Sequence, residues 1–459
     1  MFLIFTLKCL IIEKCLIMVI IMNLMNARGV RDFVPEEKIP RQEIVEKLKT
    51  VFELYGFVPI ETPLIERMDI LAAKYAGGSE ILKETFQFKD QGDRELGLRY
   101  DLTVPFSRFV GMNPTMKMPF KRYQIGRVFR DGPIKLGRYR EFWQCDVDIV
   151  GAKSISSDAQ CVQIAQKVFK QLDLEVKIEI NSRDLLEAIL REFEISDDLL
   201  VDVILEIDKL KKIGIIAVKE AILNISSSLD ASKISELLDL LTVSGTNKEK
   251  IDKIKLVAQK EETKLALNKL IELFTYVSGD DVVFRPSLAR GLSYYTGTVF
   301  EVVLKNQDFE DENGKKIKFT SSLSAGGRYD NMIGDYLESK KEFPAVGISF
   351  GLEPIVEVMK LSKKIELKKT TVKAYVIPIK TFTESNKIAE KLRDSGINCD
   401  IDLVNRSISK NLNYANSFNI PFVIFVGQDE LDQDKVKLRD MSSGEESLLS
   451  IKEVCEKLK

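Results

Sequence analysis

The sequence predicts an α+β protein: an antiparallel sheet that carries a helical insertion, followed by a smaller α/β unit. Three observations lead to this. Residues 121–130 and 141–150 both read as strands, and the polar loop between them makes an antiparallel hairpin with a long, basic connection. Residues 185–278 hold no proline and only Gly214 and Gly245 as glycines, with Leu, Ile, Lys and Glu at helical spacing. Beyond residue 371 strand-like and helix-like runs alternate, the pattern of an α/β unit with a partly parallel sheet.

Taken in order, residues 1–25 are apolar but interrupted by Lys8, Glu13 and Lys14, which argues against a transmembrane helix, and no small-residue cleavage site follows. They read as a spurious or disordered extension ahead of a start at Met22 or Met25, with a membrane anchor as the alternative. Residues 41–54 place Ile44, Val45, Leu48, Val51, Phe52 and Leu54 at helical spacing, and Gly56 closes that helix. Residues 57–63 read as a strand whose prolines suit an edge. Strand-and-glycine texture returns over 282–359. Residues 361–370 form a lysine-rich linker. In the tail, 375–379, 399–403 and 421–426 read as strands, and 384–395 and 407–417 as helices. The division expected is therefore 26–184 with 279–360, an insertion at 185–278, a linker at 361–370 and a second domain at 371–459. A chain of 459 residues, 45% hydrophobic, can supply two or three cores.

Composition excludes several function classes. The net charge of -2 gives no global attraction to nucleic acid, so any such site must be a local patch. The cysteines (Cys9, Cys15, Cys145, Cys161, Cys399, Cys455) form no C-x-x-C pair and fit neither a zinc site nor a disulfide framework, as expected of free thiols in a reducing cytoplasm. The chain has no histidine. That removes histidine triads, histidine metal sites and the usual general base, leaving carboxylates, arginines, lysines, hydroxyls and backbone groups.

The densest chemistry lies in the hairpin. From Lys117 to Arg140 there are eight basic residues and one acid, Asp131. Two antiparallel strands would hold many of these cations beside one groove. The planar fork of arginine suits phosphate, and Phe142 can stack on a purine. A solvated basic face would share this composition. The order Phe-Arg at 129–130, Gly-Pro at 132–133 and Arg-Tyr-Arg-Glu-Phe at 138–142 argues against it.

That order resembles motif 2 of the class II aminoacyl-tRNA synthetases, and its continuation FWQCDVD (142–148) looks like the histidyl enzymes in their eukaryotic and archaeal style. ARGVRDF (27–33) resembles the N-terminal signature of the histidyl-tRNA synthetase family, 56–63 resembles the dimer-forming motif 1, RYDLTVP (99–105) its amino-acid-binding loop and RGLSYYTG (290–297) a run confined to histidyl enzymes and close paralogues. SAGGRYD (324–330) follows in the expected order. The resemblance covers nearly everything after Ala27 and implies a class II antiparallel-sheet catalytic domain, with an anticodon-binding domain at the C-terminus.

It also implies roles. Asp101 and Thr103, with Leu102 between them, look like the loop that holds the substrate α-amino group. Arg130 looks like the arginine bridging the histidine carboxylate and the α-phosphate, and Arg290 faces that phosphate from the opposite side, so the two are the expected catalytic pair. Gln144, Tyr294, Tyr295 and Tyr329 line the same pocket, and Asp148 accepts the imidazole N–H. Taken singly, the aspartates could be ordinary salt-bridge partners and the tyrosines core packing. Arg138, Arg140 and Phe142 complete the ATP side. Arg406, Ser407 and Lys410 fall in a stretch (402–415) that resembles the shared anticodon-binding domain, near a helix N-terminus. The reactants implied are ATP with Mg2+, L-histidine and tRNA(His). The partner implied is a second copy of the chain, without a membrane, in the cytoplasm. Metal ligands stay unassigned.

Two positions depart from the family pattern. Position 293 is Ser where Asp is common, and GLEP (351–354) puts Pro354 where motif 3 normally carries an arginine. Either Arg138 or Arg140 takes over that charge, or ATP binds less tightly. The rival reading is an inactive paralogue, such as the regulatory subunit of ATP phosphoribosyltransferase. Pro354 favours it, and the tail domain, which that subunit usually lacks, argues against it. The 290–297 run argues against a synthetase for another amino acid.

Overall fold

The computed structural model describes residues 24–72, 82–290, 294–310, 314–338 and 342–459. The reading of residues 1–23 and the departure at Ser293 lie outside them. Eight strands form the larger sheet, in the order Val58–Pro59, Phe120–Phe129, Glu141–Val150, Ala345–Gly351, Ser324–Arg328, Thr298–Leu304, Val176–Ser182, Val282–Phe284. The six central strands are antiparallel, and each edge strand is parallel to its neighbour. The segment expected as a strand over 57–63 is one only at Val58–Pro59. Its prolines remove ladder donors, which suits a short edge.

The two-residue period of a strand explains the central hairpin. Along Glu141–Val150, Cys145, Val147 and Ile149 enter the core, while Gln144, Asp146 and Asp148 face the opposite side. The apolar face packs on helices Pro35–Leu54, Ile155–Gln171 and Leu352–Leu361. Helix Pro35–Leu54 starts six residues before the periodic run, with proline at its first position and Glu36 and Glu37 in its first turn. Arg41 on this helix pairs with Glu353, both buried, at 2.5 Å, and the other Glu353 oxygen accepts the Trp143 N–H.

The 185–278 stretch forms six helices between Arg183 and Tyr276. Asp230 caps one, and Thr246 with Glu249 makes a capping box on the next. Their apolar faces join the core under the sheet. A second sheet, in the order Cys399–Ile401, Ala374–Pro378, Phe422–Val426, Val436–Asp440, Glu446–Leu449, is parallel across its first three strands and antiparallel after them. The tail ends in the hairpin Val436–Asp440 and Glu446–Leu449 and helix Ile451–Leu458, which opens on a capping box of Ser450 and Glu453.

Candidate active site

The polar face of the large sheet is organised in cross-strand rows. One row runs Arg122, Asp148, Gly347, Gly327, Val299, and the next runs Gln124, Asp146, Ser349, Ala325, Glu301, Glu179. A cleft of about 350 Å³ opens over them. Asp101, Thr103, Arg130, Phe142, Gln144, Asp148, Arg290, Tyr294, Tyr295 and Tyr329 all line it. Residues spread over more than two hundred positions are thus brought to one place.

At one end Asp148 is held on both oxygens. The Tyr329 hydroxyl donates to Oδ1 at 2.5 Å, and Arg122 Nη2 stands 2.6 Å from Oδ2. That second approach is off the N–H axis, because Asp148 Oδ2 makes no hydrogen bond of good geometry. Arg122 is fully buried, and its guanidinium lies 4.3 Å from the Phe106 ring centre. Burial pushes the Asp148 carboxyl up, and Arg122 and Tyr329 oppose it. Burial pushes Asp146 up to about 7, opposed by Arg122 and reinforced by Asp148, and among the described residues its Oδ1 has no partner. Asp101, also raised by burial, accepts the Val104 N–H at 2.9 Å at the start of helix Thr103–Met112. Leu102 does not face the cleft; it is fully buried, and its carbonyl accepts from Arg122.

Glycine floors this end. A Cβ on Gly347 would run into Asp148 Oδ1, and one on Gly327 would come within 2.8 Å of the Tyr295 ring. The rings of Tyr294 and Tyr295 are 4.7 Å apart, and Tyr294 meets Tyr329 edge-on.

At the other end Arg130 Nε donates to the Tyr100 carbonyl at 3.2 Å. Its guanidinium lies 4.1 Å from the Tyr100 ring centre and 5.0 Å from that of Phe142. Arg290 stands where the cleft meets a second, charged groove. Arg138 and Arg140 do not line the cleft. Arg138 pairs with Glu84 at 3.3 Å and Arg140 with Asp131 at 2.9 Å. Pro354 sits in the first turn of helix Leu352–Leu361, where a missing N–H costs little. Its Cα lies 3.5 Å from where a Cβ of Gly137 would be, so the loop bearing Arg138 packs against it.

In the second sheet's unit, Arg406 is fixed by Asp402 at 3.2 Å and by the Tyr414 ring at 4.5 Å. Desolvation would raise Asp402, but hydrogen bonds from the Asn411 side chain and the Val404 and Arg406 N–H groups hold it low. Ser407 caps helix Ile408–Ser417 by position, without a side-chain bond, and Lys410 is exposed one turn on.

Sequence reasoning missed Arg122, Asp146, Ser349, Tyr100 and Glu301. Asp146 was open to discovery, since it lies midway between Gln144 and Asp148 on a two-residue period. Arg122 needed the register of the hairpin.

An antiparallel six-strand core with parallel edges, an arginine stacked over the second strand of a long hairpin and a glycine-floored pocket define the class II aminoacyl-tRNA synthetase arrangement. A sequence model of the histidyl-tRNA synthetase family matches residues 29–355, and one of the anticodon-binding domain matches 373–459. A Bacillus cereus protein named histidine–tRNA ligase 1 is 41% identical over 432 residues, covering 93% of this chain and 97% of its own length. The histidine–tRNA ligase of Finegoldia magna is 36% identical over 444 residues, covering 94% and 98%. The crystal structure of histidyl-tRNA synthetase from a Nostoc species superposes with a TM-score of 0.82 at 27% identity, over 95% of this chain and 99% of that one. The chain belongs to the histidyl-tRNA synthetase family, and its activity is that of a histidine–tRNA ligase. Membership implies ATP, histidine and tRNA as reactants. Among the described residues no helix is long and apolar enough to cross a membrane.

Proposed function

We propose that the cleft activates L-histidine with ATP and passes the histidyl group to the 3′ end of tRNA(His), with the residues divided as follows. Asp148, clamped by Arg122 and Tyr329, accepts the imidazole N–H. A site built around a fixed buried acceptor rejects apolar analogues strongly, because they leave that acceptor unpaired. Asp101 and Thr103 take the α-ammonium, and Gln144, Tyr294, Tyr295 and Tyr329 wall the ring. The histidine carboxylate then attacks the α-phosphorus in line and pyrophosphate leaves. Arg130 and Arg290 lie against the developing charge from two sides. No proton moves in this step, so fixed positive charge and positioning supply the rate in a chain without histidine. In the second step the tRNA 3′ hydroxyl attacks the carbonyl carbon of the adenylate, the bond from that carbon to the phosphate oxygen breaks, AMP leaves and the hydroxyl proton passes to the departing phosphate or to water.

The observation that carries this reading is the convergence of a clamped buried carboxylate and two arginines in one cleft. ATP enters as its Mg2+ complex, with the ion carried by phosphates and one or two carboxylates at most. Among the described residues no three metal-ligating side chains converge, so no residue is assigned to hold it. We assign the role of the missing motif 3 arginine to Arg138, whose loop packs against Pro354, with Arg140 and Phe142 completing the ATP side. We assign catalysis to residues 26–184 and 279–360, the insertion to 185–278 and anticodon binding to 371–459 beyond a linker at 361–370. Arg406, Ser407 and Lys410 present a cation and a helix N-terminus to single-stranded bases and their phosphates.

A cytoplasmic location fits the free thiols of Cys145, Cys161, Cys399 and Cys455. A homodimer fits the exposed Val58, Leu64, Ile65 and Phe88 around strands Ile65–Arg67 and Gln87–Lys89, and sedimentation at the mass of a single chain would remove it. The inactive-paralogue reading is not favoured, since the tail unit is present and the arginine pair is in place. Histidine-dependent exchange of pyrophosphate into ATP, with other amino acids as controls, tests the function. Exchange with histidine alone is expected, and none from a folded protein would overturn the proposal.

A further inference from the structure

Arg290 belongs to two surfaces. It lines the cleft, and it also lines a charged groove shared with Lys177, Lys211, Arg285, Lys305 and Lys318. The sheet register explains why the groove is charged there. Glu301 on Thr298–Leu304 and Glu179 on Val176–Ser182 are direct cross-strand neighbours, on the face that carries Asp146 and Ser349. Two carboxylates placed opposite one another repel, and such a pair persists only where cations bridge it. Lys211 Nζ and Arg285 Nη1 each stand 2.6 Å from Glu179 Oε2 and 3.9 Å from Glu301 Oε2. The remaining Glu301 oxygen, Oε1, stands 3.8 Å from Arg290 Nη1.

Among the described residues, Glu301 is the carboxylate within ion-pair reach of Arg290; Tyr295 also contacts that side chain. The separation matters. At 3.8 Å the pair attracts without a hydrogen bond, so it aims the guanidinium without taking up one of its donors. Among the described residues Arg290 Nε is buried without a partner, so the fork is held by the Tyr295 hydroxyl, which hydrogen-bonds this side chain, and by the charge of Glu301. Lys211 lies in helix Leu210–Leu223, within the 185–278 insertion, and it reaches down to the sheet to hydrogen-bond Glu179, with its charge 3.9 Å from the other Glu301 oxygen. The insertion and the arginine are therefore joined through one carboxylate.

We propose that Glu301 positions Arg290 for the reaction at phosphorus and that Lys211 ties that position to the helical insertion. This rests on the role given to Arg290 above. Glu301 is a positioning residue and touches no reactant.

The test is pyrophosphate exchange by the full chain, with kcat and KM resolved for histidine and ATP. Glu301→Gln keeps size and relieves the cross-strand repulsion, so the fold should hold. Loss of the aim should lower kcat by about a hundredfold, while the histidine KM shifts by less than about twofold. Glu179→Gln serves as the structural control. It should lower the Tm by removing the carboxylate closest to Lys211 and Arg285, yet leave kcat within about twofold. Lys211→Met should lower kcat by about tenfold or less, in the same direction as Glu301→Gln. If Glu301→Gln unfolds, Glu301→Asp keeps the charge but withdraws it, and an intermediate loss of kcat is expected. Normal kcat in the folded Glu301 variant beside an inactive Arg290→Gln would overturn the positioning role. An active Arg290→Gln would instead remove the reading on which it rests.

Discussion

The two ends of the cleft solve the problem of unpaired charge in opposite ways. At the end proposed for the amino acid, Asp101, Asp146 and Asp148 are buried, and Arg122 lies among them with no exposed surface. At the end proposed for the nucleotide, Arg138 is exposed and Arg140 half-buried on a loop, and each rests on an acid close in space. The first arrangement is fixed by burial, with its charges compensated within the fold. In the second, Glu84 and Asp131 hold the arginines in solvent-accessible ion pairs, and under the proposed role phosphate oxygens would take their place, since arginine binds both groups with the same fork. Selection by shape and hydrogen bonding needs the rigid end, and a polyphosphate that must enter and leave needs the exchangeable one.

The sharpest way to break this contrast is to remove the central cation of the buried end. Arg122→Met leaves Asp148 and its neighbours without compensation, and a loss of about 3–5 kcal/mol in unfolding free energy is expected by denaturant titration. A loss no larger than a surface substitution gives would show that the buried end is not fixed in this way.

A smaller effect concerns pH. Asp146 is raised from its usual 3.8 to about 7 by burial, so between those values the folded protein retains a proton that the unfolded chain has released. Stability from this group is therefore full below the lower value and falls as pH rises through the upper one. Asp101 and Asp148 shift in the same direction. Asp146→Asn should flatten part of the decline in Tm across that window, and an unchanged slope would assign it to the other two carboxyls.

The smallest effect belongs to the exchangeable end. Arg138→Ala should raise the KM for ATP by about tenfold, the worth of one charge-assisted hydrogen bond, and leave the histidine KM and the Tm nearly unchanged. A histidine KM that moves as far as the ATP value would mean that the two ends are not separate.

Much of this architecture was legible before the fold was seen. The hairpin, the helices of 185–278 and the tail's alternation follow from apolar period and from the places where glycine and proline occur. The shortened edge strand and the earlier helix start were not, because pairing and capping there depend on neighbours rather than on local pattern. The arginines of the hairpin stood out by density. That Arg138 and Arg140 would be latched to Glu84 and Asp131 did not, since Glu84 comes from a distant segment.

The sequence by itself determined which faces of each element are polar and which residues could carry phosphate chemistry without histidine. Those properties lie in the two-residue period of strands and in side-chain identity. Only the tertiary structure decided that Arg122 sits across from Asp148, that Gly347 lies beneath it and that Glu301 meets both Arg290 and Lys211. Cross-strand register sets those partners, and register depends on how loops close and which apolar faces share a core, neither of which is written at any single position.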